Sequence, residues 1–237
     1  MKDNKQLLAS TDSSVAKSFW SGFTDYYVNV TEFDDLRARA TVEALLHEAD
    51  VKDGYAVFDA GCGHLRVTSG MLRLRKDLHP FGADITFDLL AKGRKTCEER
   101  NNIAPHLSCA DLRHLPYEDA SFDAAVCARV FQYISEPVDA LKEIRRVLKP
   151  GARVALSVPN RYNPIKRGSY PGKLYAPGEL KAWLEAAGFT GIQVRSICFV
   201  PGFFRRGWES RWICFERLSR LPLIGLIGGN ALASGRA

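Results

Sequence analysis

Short apolar runs alternate with longer helical segments along most of the chain. The pattern predicts helices at 34–48, 138–147 and 178–187, and strands at 57–59, 81–85, 106–110, 122–127, 153–158, 191–199 and 230–236. Alternation of this kind implies a mostly parallel sheet with helices on both faces, because parallel neighbours need right-handed crossover connections. We therefore predict an α/β fold with a doubly wound sheet, which binds its ligand at the carboxyl ends of the strands.

The first predicted strand ends in a glycine-rich turn that leads into a helix. Gly61 and Gly63 lack a Cβ, so the backbone can bend sharply there and approach a ligand closely. Asp59 offers a carboxylate beside the same turn. A Gly-x-Gly turn is weak evidence by itself, because many strand-to-helix turns need glycine for steric reasons only.

Aspartates at the ends of the next two strands make the turn more informative. Asp84 lies 21 residues beyond Gly63. In nucleotide-binding α/β folds, an acidic residue about 20 residues beyond the glycine turn accepts hydrogen bonds from the ribose hydroxyls. Asp111 follows the third strand, where its carboxylate is placed to accept from an adenine amine. The spacing predicts a ligand that contains a nucleoside.

A nicotinamide or flavin dinucleotide is the competing ligand for such a turn, with its pyrophosphate on the N-terminus of the following helix. The dinucleotide fingerprint needs a third glycine three residues after the second, and Arg66 occupies that position. A basic residue can still meet a phosphate there, so the alternative stays open although its fit is poor.

These ordered motifs resemble those of the class I S-adenosylmethionine-dependent methyltransferases, and the resemblance covers nearly all of the chain. The family's first motif, acidic-x-Gly-x-Gly-x-Gly, matches Asp59, Gly61 and Gly63. Its ribose-binding acid matches Asp84, and its adenine-contacting acid matches Asp111. The segments 121–123 and 148–154 are similar to the family's fourth strand and to the turn before its fifth strand.

The resemblance implies a Rossmann-like, seven-stranded sheet whose last strand, 230–236, is inserted antiparallel. It implies S-adenosylmethionine as cofactor, S-adenosylhomocysteine as product, and a cofactor site made of Asp59, Gly61, Cys62, Gly63, Asp84, Ile85, Asp111, Leu112 and Arg129. Leu65 stands where the family has its third glycine. We expect this leucine to narrow the turn and to shift the methionine end of the cofactor.

Methyl transfer from a sulfonium needs few catalytic side chains, because the leaving group is already good and the protein mainly aligns donor and acceptor. An alcohol, phenol or protonated amine must still lose a proton to a base. His64 and Tyr133 are the candidates, with Tyr162 as a further one; each can equally be a simple hydrogen-bond partner or an exposed residue.

The residues after the fourth strand restrict the acceptor. Methyltransferases of exocyclic base amines carry an Asn or Asp-Pro-Pro-aromatic motif there, and this chain has Cys127 to Val130 instead. A clustered carboxylate set for metal-dependent catechol methylation is also missing beside this loop. We therefore predict a metal-free reaction on an acceptor other than a nucleobase amine.

Length and composition are typical of one compact enzyme domain, since the 237 residues show no linker, repeat or low-complexity run. We predict a lid or cap at 1–33, which contains the aromatic segment 19–27, and a methyltransferase domain at 34–237.

The polar stretch 1–14 is neither a secretory signal nor a membrane span, which predicts a cytoplasmic protein. Six scattered cysteines without Cys-x-x-Cys pairs argue against a zinc site or a disulfide framework.

Positive charge is concentrated in the second half of the chain. Residues 142–237 contain 17 Lys+Arg and 5 Asp+Glu, against 16 and 22 in residues 1–141. Basic residues alternate with aromatic ones in an inserted segment near 200–228. This composition suits an anionic acceptor or peripheral contact with a lipid surface, and equally a solvated amphipathic helix. Nucleic acid is disfavoured, because no recognised binding module accompanies the charge.

The favoured function is S-adenosylmethionine-dependent methylation of oxygen or nitrogen in a small molecule. The broader resemblance also includes C-methylation of a quinone or lipid-like acceptor. A non-catalytic protein that binds the cofactor to regulate a partner is the third hypothesis, supported only by Leu65. The sequence leaves the oligomeric state open.

Overall fold

The computed structural model describes residues 17, 18, 21, 36–164, 173–197 and 227–237. Most of the predicted lid at 1–33 and most of the predicted basic aromatic segment near 200–228 lie outside the described residues. Their assignment as separate parts of the chain stays a prediction.

Helices and strands alternate through the described part of the chain. The helices are α1 (Leu36–Glu48), α2 (Arg66–Leu74), α3 (Phe87–Asn101), α4 (Pro137–Val147) and α5 (Pro177–Ala186), with a short 3-10 helix at Phe131–Tyr133. The strands are β1 (Ala56–Ala60), β2 (His79–Asp84), β3 (His106–Cys109), β4 (Phe122–Ala128), β5 (Leu148–Pro159), β6 (Thr190–Ile197) and β7 (Asn230–Arg236).

The strands form one seven-stranded sheet in the order β3-β2-β1-β4-β5-β7-β6. Strands β1 to β5 run parallel to one another, whereas β7 runs antiparallel to both β5 and β6. The predicted doubly wound, mostly parallel sheet is confirmed, including the antiparallel last strand. Because the carboxyl ends of β1 to β4 lie side by side, the loops that follow them meet at one edge.

Two apolar layers cover the two faces of the sheet. Val57 and Val126 pack with residues of α1 and α2, whereas Phe58 and Cys127 pack with residues of α4 and α5. This alternation follows from the two-residue period of a strand. Helix α4 buries Ala140, Leu141, Ile144 and Val147, the spacing of one helical face, and begins with Pro137 in its first turn.

Strand β5 starts earlier than the sequence predicts. Leu148 pairs with Phe122, and after a shift in register Arg153 pairs with Ala124. Gly151 lies between them at φ 83°, and its N–H donates to the carbonyl of Ala237 at 3.1 Å. The predicted turn is therefore an irregular part of the strand, because the end of the chain supplies it with a hydrogen-bond partner.

Within the described ranges, none of the helices has the length and apolar character needed to cross a membrane.

Candidate cofactor and active site

An open pocket lies where the loops after β1, β2, β3 and β4 meet, with a volume of about 960 Å³ including its mouth. Its walls come from four stretches of chain. They contain Gly61, Cys62, Gly63, His64, Arg66, Val67, Asp84, Ile85, Leu89, Ala110, Asp111, Leu112, Arg113, Ala128, Arg129, Val130, Tyr133, Ile134 and Ser135. Every residue predicted for the cofactor site except Asp59 lines this pocket, and so do His64 and Tyr133.

The glycine turn forms the floor between β1 and α2. Gly61 and Gly63 have φ values of 72° and 51°, in the region that favours glycine. A Cβ on Gly61 would lie 2.3 Å from Cγ2 of Val130. A larger residue at position 61 would therefore push the loop after β4 away from the turn.

Leu65 adopts the backbone conformation of the glycine that it replaces, with φ 63° and ψ 27°. Its side chain is fully buried and packs with Cys62, Leu90 and Cys97. Leu65 does not line the pocket. In place of the narrowing that we expected, the leucine fills the space between α2 and α3, because those helices present apolar side chains to it.

Asp84 stands at the end of β2 with its carboxylate at the pocket wall. Oδ2 accepts the N–H of Gly63 at 2.9 Å, and Oδ1 accepts the N–H of Thr86 at 2.9 Å. Burial raises the pKa of Asp84, and these two N–H donors oppose the rise. Each oxygen has a second lone pair and can accept one more hydrogen bond. The two hydroxyls of a ribose match these two open acceptor positions.

Asp59 lies behind the glycine turn rather than beside the ligand, which differs from its predicted place. Its side chain is 1% exposed, and Oδ2 accepts the hydroxyl proton of Thr68 at 2.7 Å. Burial raises the pKa of Asp59 to about 7. Because Thr68 belongs to α2, the hydrogen bond joins that helix to the end of β1 and keeps the carboxylate out of the pocket.

Asp111 lies at the opposite end of the pocket, after β3. Oδ1 accepts the backbone N–H of Arg113 at 3.0 Å and its Nε–H at 3.1 Å, and Oδ2 accepts Nη2–H at 2.7 Å. These bonds from Arg113 lower the pKa of Asp111. The apolar side chains of Ile85 and Leu112 line the pocket between Asp84 and Asp111, as a flat base would need.

The two candidate bases face the pocket from different loops. His64 is 4% exposed, and burial, with the charge of Arg66 as a smaller cause, lowers its pKa to about 4. The imidazole is therefore neutral at pH 7. Tyr133 belongs to the 3-10 helix after β4, whereas Tyr162 is 49% exposed and lies outside the pocket lining.

Comparison with known proteins agrees with this geometry. A family model described as a methyltransferase domain matches residues 58–156, the range from β1 into β5 that builds the pocket. An uncharacterized protein of Methanocaldococcus jannaschii is 28% identical over 185 residues, which cover 77% of this chain and 76% of that protein. Demethylmenaquinone methyltransferase of Staphylococcus haemolyticus is 28% identical over 182 residues, which cover 64% of this chain and 75% of that protein. The solved (4+2)-cyclase SpnF has the same fold, with a TM-score of 0.74 at 18% identity over 97% of this chain and 98% of that one.

Residues 58–156 form a methyltransferase domain, in agreement with the predicted class I S-adenosylmethionine-dependent family. Its cofactor is S-adenosylmethionine. The residues of the pocket fit this molecule, because a carboxylate with two open acceptor positions, an apolar slot and a second carboxylate follow one another along the wall. Within the described residues of the methyltransferase, no group of three or more His, Cys, Asp or Glu side chains could hold a metal ion.

Three residues that shape the methyltransferase pocket were missed in the sequence. A Cβ on Gly93 would lie 2.6 Å from the carbonyl carbon of His64, so this glycine lets α3 approach the turn. A Cβ on Gly82 would lie 2.7 Å from Sγ of Cys62, whose thiol pKa is raised by burial. Gly82 interrupts a predicted strand, which is a usable signal of close backbone approach. Arg113 carries no comparable signal.

Proposed function

We propose that this methyltransferase transfers a methyl group to an oxygen or nitrogen atom of a small-molecule acceptor. The observation that carries the cofactor part of the proposal is the position of Asp84. Its carboxylate is held by the N–H groups of Gly63 and Thr86 and has acceptor positions open at the pocket wall. A nucleoside cofactor and an acceptor molecule need such a pocket at the carboxyl ends of the strands.

The same geometry supports a role for each residue around the cofactor. Asp84 would accept from the ribose hydroxyls, and Asp111 would accept from the adenine amine. The backbone at Gly61, Cys62 and Gly63 would lie under the ribose and the methionine part. Ile85 and Leu112 would enclose the base, and Arg129 would lie beside the methionine end. Asp59 would act from behind the turn by holding α2 through Thr68.

S-adenosylmethionine supplies a methyl group on a positively charged sulfur, which is a good leaving group. The chain then has to hold the acceptor in line, exclude water and receive the acceptor's proton. His64 is buried at the pocket wall and neutral at pH 7, so its ring offers an unprotonated nitrogen, which the lowered pKa makes a weak base. Tyr133 approaches from the loop after β4 and would orient the acceptor.

C-methylation of a quinone-like acceptor is the second candidate function. It is supported by the relatives that carry the name demethylmenaquinone methyltransferase, among them the Staphylococcus haemolyticus protein. An apolar ring would fit the side of the pocket formed by Val67, Val130 and Ile134. Both candidate functions use the same cofactor, and they differ in the acceptor atom.

Isothermal titration tests the cofactor part of the proposal. S-adenosylmethionine and S-adenosylhomocysteine should bind in the micromolar range, about −8 kcal/mol, while a nicotinamide dinucleotide as control should not bind. Failure of both adenosyl compounds to bind would overturn the proposal.

The acceptor atom is tested with cofactor that carries an isotope-labelled methyl group and a panel of phenols, amines and demethylated quinols. The NMR shift of the labelled methyl distinguishes oxygen, nitrogen and carbon. Label on oxygen or nitrogen supports the first candidate, and label on ring carbon supports the second. Tight binding with no transfer to any acceptor class would favour the binding-only role.

The role of His64 is tested by His64→Gln, with His47→Gln as control because His47 is exposed on α1. Loss of the base should lower kcat by about 100-fold, while the control should keep the parental rate. Since the pKa of His64 is about 4, the rate should also stay flat between about pH 5.5 and 8. An unchanged kcat in His64→Gln would remove His64 from the mechanism.

A further inference from the structure

Arg113 joins two loops at the mouth of the pocket. Its Nε and Nη2 donate to Oδ1 and Oδ2 of Asp111, at 3.1 Å and 2.7 Å, and its Nη1 donates to Oε2 of Glu136. Asp111 follows β3, whereas Glu136 directly precedes α4. The guanidinium is therefore held from two sides, and Ser135 adds a hydroxyl donor to Glu136 at 3.2 Å.

The hydrogen bonds around Asp111 leave little freedom for its carboxylate. Each carboxylate oxygen can accept two hydrogen bonds. Oδ1 already accepts two, from the backbone N–H and the Nε–H of Arg113, at 3.0 Å and 3.1 Å. Oδ2 accepts one, from Nη2–H. Within the described residues, one acceptor position is left on Asp111, and it lies on Oδ2.

We propose that Arg113 is a positioning residue that makes the methyltransferase select a purine with a 6-amino group. This inference rests on the proposed cofactor site. The two parallel hydrogen bonds from Arg113 fix the side chain of Asp111, which lines the pocket, and leave its last open acceptor position on Oδ2. A 6-amino group donates a hydrogen bond to that position. A 6-oxo purine places an oxygen there and carries its nearest donor on N1, which the fixed carboxylate cannot turn to meet.

The surroundings of Asp111 strengthen this selection. Arg113 keeps Asp111 ionised by lowering its pKa, so the carboxylate has no proton to offer to a 6-oxo group. Ile85 and Leu112 line the adjoining wall with apolar side chains. These side chains offer no donor or acceptor that could compensate a mismatched base.

The pair of probes is S-adenosylhomocysteine and S-inosylhomocysteine, which differ only at purine position 6 and in the proton that the 6-oxo purine carries on N1. We would measure the two dissociation constants by isothermal titration for the parental protein and for Arg113→Gln. The parental protein should prefer the adenosyl compound by at least about 30-fold, and Arg113→Gln should reduce this preference by about tenfold. Arg113→Lys keeps the positive charge but cannot donate two parallel hydrogen bonds to Asp111. Its preference should therefore lie between those of Arg113→Gln and the parental protein.

Arg94→Gln is the matched control, because Arg94 is a half-exposed arginine on α3 with an ion pair to Glu98 outside the pocket. It should leave the preference unchanged. Glu136→Gln removes the second anchor of the guanidinium and should reduce the preference by less than Arg113→Gln does. Thermal unfolding of each variant shows that the protein tested is folded.

A purely structural role of Arg113 would weaken both probes by the same factor, and an unchanged preference in Arg113→Gln would overturn the inference. If either result is found and the parental protein binds S-adenosylhomocysteine tightly, the proposed cofactor site stands without the inference. If the parental protein binds neither probe, the proposed cofactor site itself fails, and the inference fails with it.

Discussion

Two arginine–carboxylate networks lie in different parts of the sheet. The pocket network consists of Asp111, Arg113 and Glu136, beside the carboxyl end of β3. The edge network consists of Glu48, Arg153, Arg195 and Ser234, where the end of α1 meets β5, β6 and β7. Both use a carboxylate that is held by arginine side chains, so residue type alone does not separate them.

The members of the edge network bond to one another, away from the pocket. Oε1 of Glu48 accepts from Nε of Arg195 at 2.8 Å, and Oε2 accepts from the hydroxyl of Ser234 at 3.0 Å. Arg153 donates to the carbonyl of Glu48 and to Oγ of Ser234, both at 2.9 Å. Glu48 is 8% exposed, and no member of this network lines the pocket.

The pocket network is more open to a ligand. The side chain of Asp111 is 26% exposed and lines the pocket, and one acceptor position on its Oδ2 is left open within the described residues. A carboxylate that binds a ligand therefore differs from a structural one in having an open acceptor position at a cavity. The edge network should therefore determine stability, and the pocket network should determine binding.

Asp59 sharpens the comparison, because it is a buried carboxylate with a hydroxyl partner and no ion pair. Its pKa is raised from 3.8 to about 7, so the folded protein keeps a proton that the unfolded chain loses. The stability from Asp59 is therefore present below about pH 4 and is lost as the pH rises through 7. A shift of this size corresponds to on the order of 4 kcal/mol.

The measurement is the free energy of unfolding of the parental protein and of Asp59→Asn at several values between pH 4 and 8. Relative to the variant, the parental protein should become less stable as the pH rises. His64 has the opposite dependence, but it is present in both proteins and cancels in the difference. If the free energies of unfolding of the two proteins change with pH in parallel, folding does not raise the pKa of Asp59.

Glu48→Ala tests the edge network. Loss of a buried carboxylate leaves Arg195 and Ser234 without their partner, and the side chain of Arg195 is 32% exposed. The free energy of unfolding in denaturant should fall by about 3 kcal/mol. The affinity for S-adenosylhomocysteine, measured at a temperature where the variant is folded, should stay at the parental value.

Glu43→Ala is the control for that variant, because Glu43 pairs with Arg39 on the exposed side of the same helix. It should cost less than about 0.5 kcal/mol. A tenfold loss of cofactor affinity in folded Glu48→Ala would show that the edge network contributes to binding as well as to stability, which contradicts the separate roles of the two networks.

Leu65 gives a smaller test on the pocket side. Leu65→Ala should destabilise the protein by about 3 kcal/mol through loss of a fully buried side chain. Leu65→Gly loses slightly more side chain but relieves the strain of φ 63°, so it should be more stable than Leu65→Ala by about 1 kcal/mol. Denaturant unfolding of both variants checks the order, and an alanine variant that is the more stable would contradict the strain.

Local patterns in the sequence were enough for the fold and for most of the pocket wall. The strands that end near Asp59, Asp84 and Asp111 are apolar and short, and parallel strands bring their carboxyl ends to one edge. That rule placed Asp84 and Asp111 at one pocket. It could not show that Asp59 turns away from it, because the decisive partner, Thr68, lies on a helix with no marker for this contact.

The remaining features depend on packing between distant residues. Glu48 and Arg195 are 147 positions apart, and no periodicity connects them. Leu65 takes a conformation that is unusual for leucine because the cluster between α2 and α3 has room for its side chain. The fork from Arg113 to Asp111 needs only two residues of separation, yet its direction depends on Glu136, which is supplied by another loop.

The most direct test of the central claim is the affinity of Asp84→Ala for S-adenosylhomocysteine, measured by titration beside the parental protein and Asp88→Ala. Asp88 is an exposed aspartate four positions further along the chain, in the first turn of α3. Loss of two hydrogen bonds to a half-buried carboxylate should weaken binding by at least about 50-fold in Asp84→Ala. Asp88→Ala should bind as tightly as the parental protein. Parental affinity in a folded Asp84→Ala variant would contradict the assignment of Asp84 to the ribose, and with it the account of this pocket.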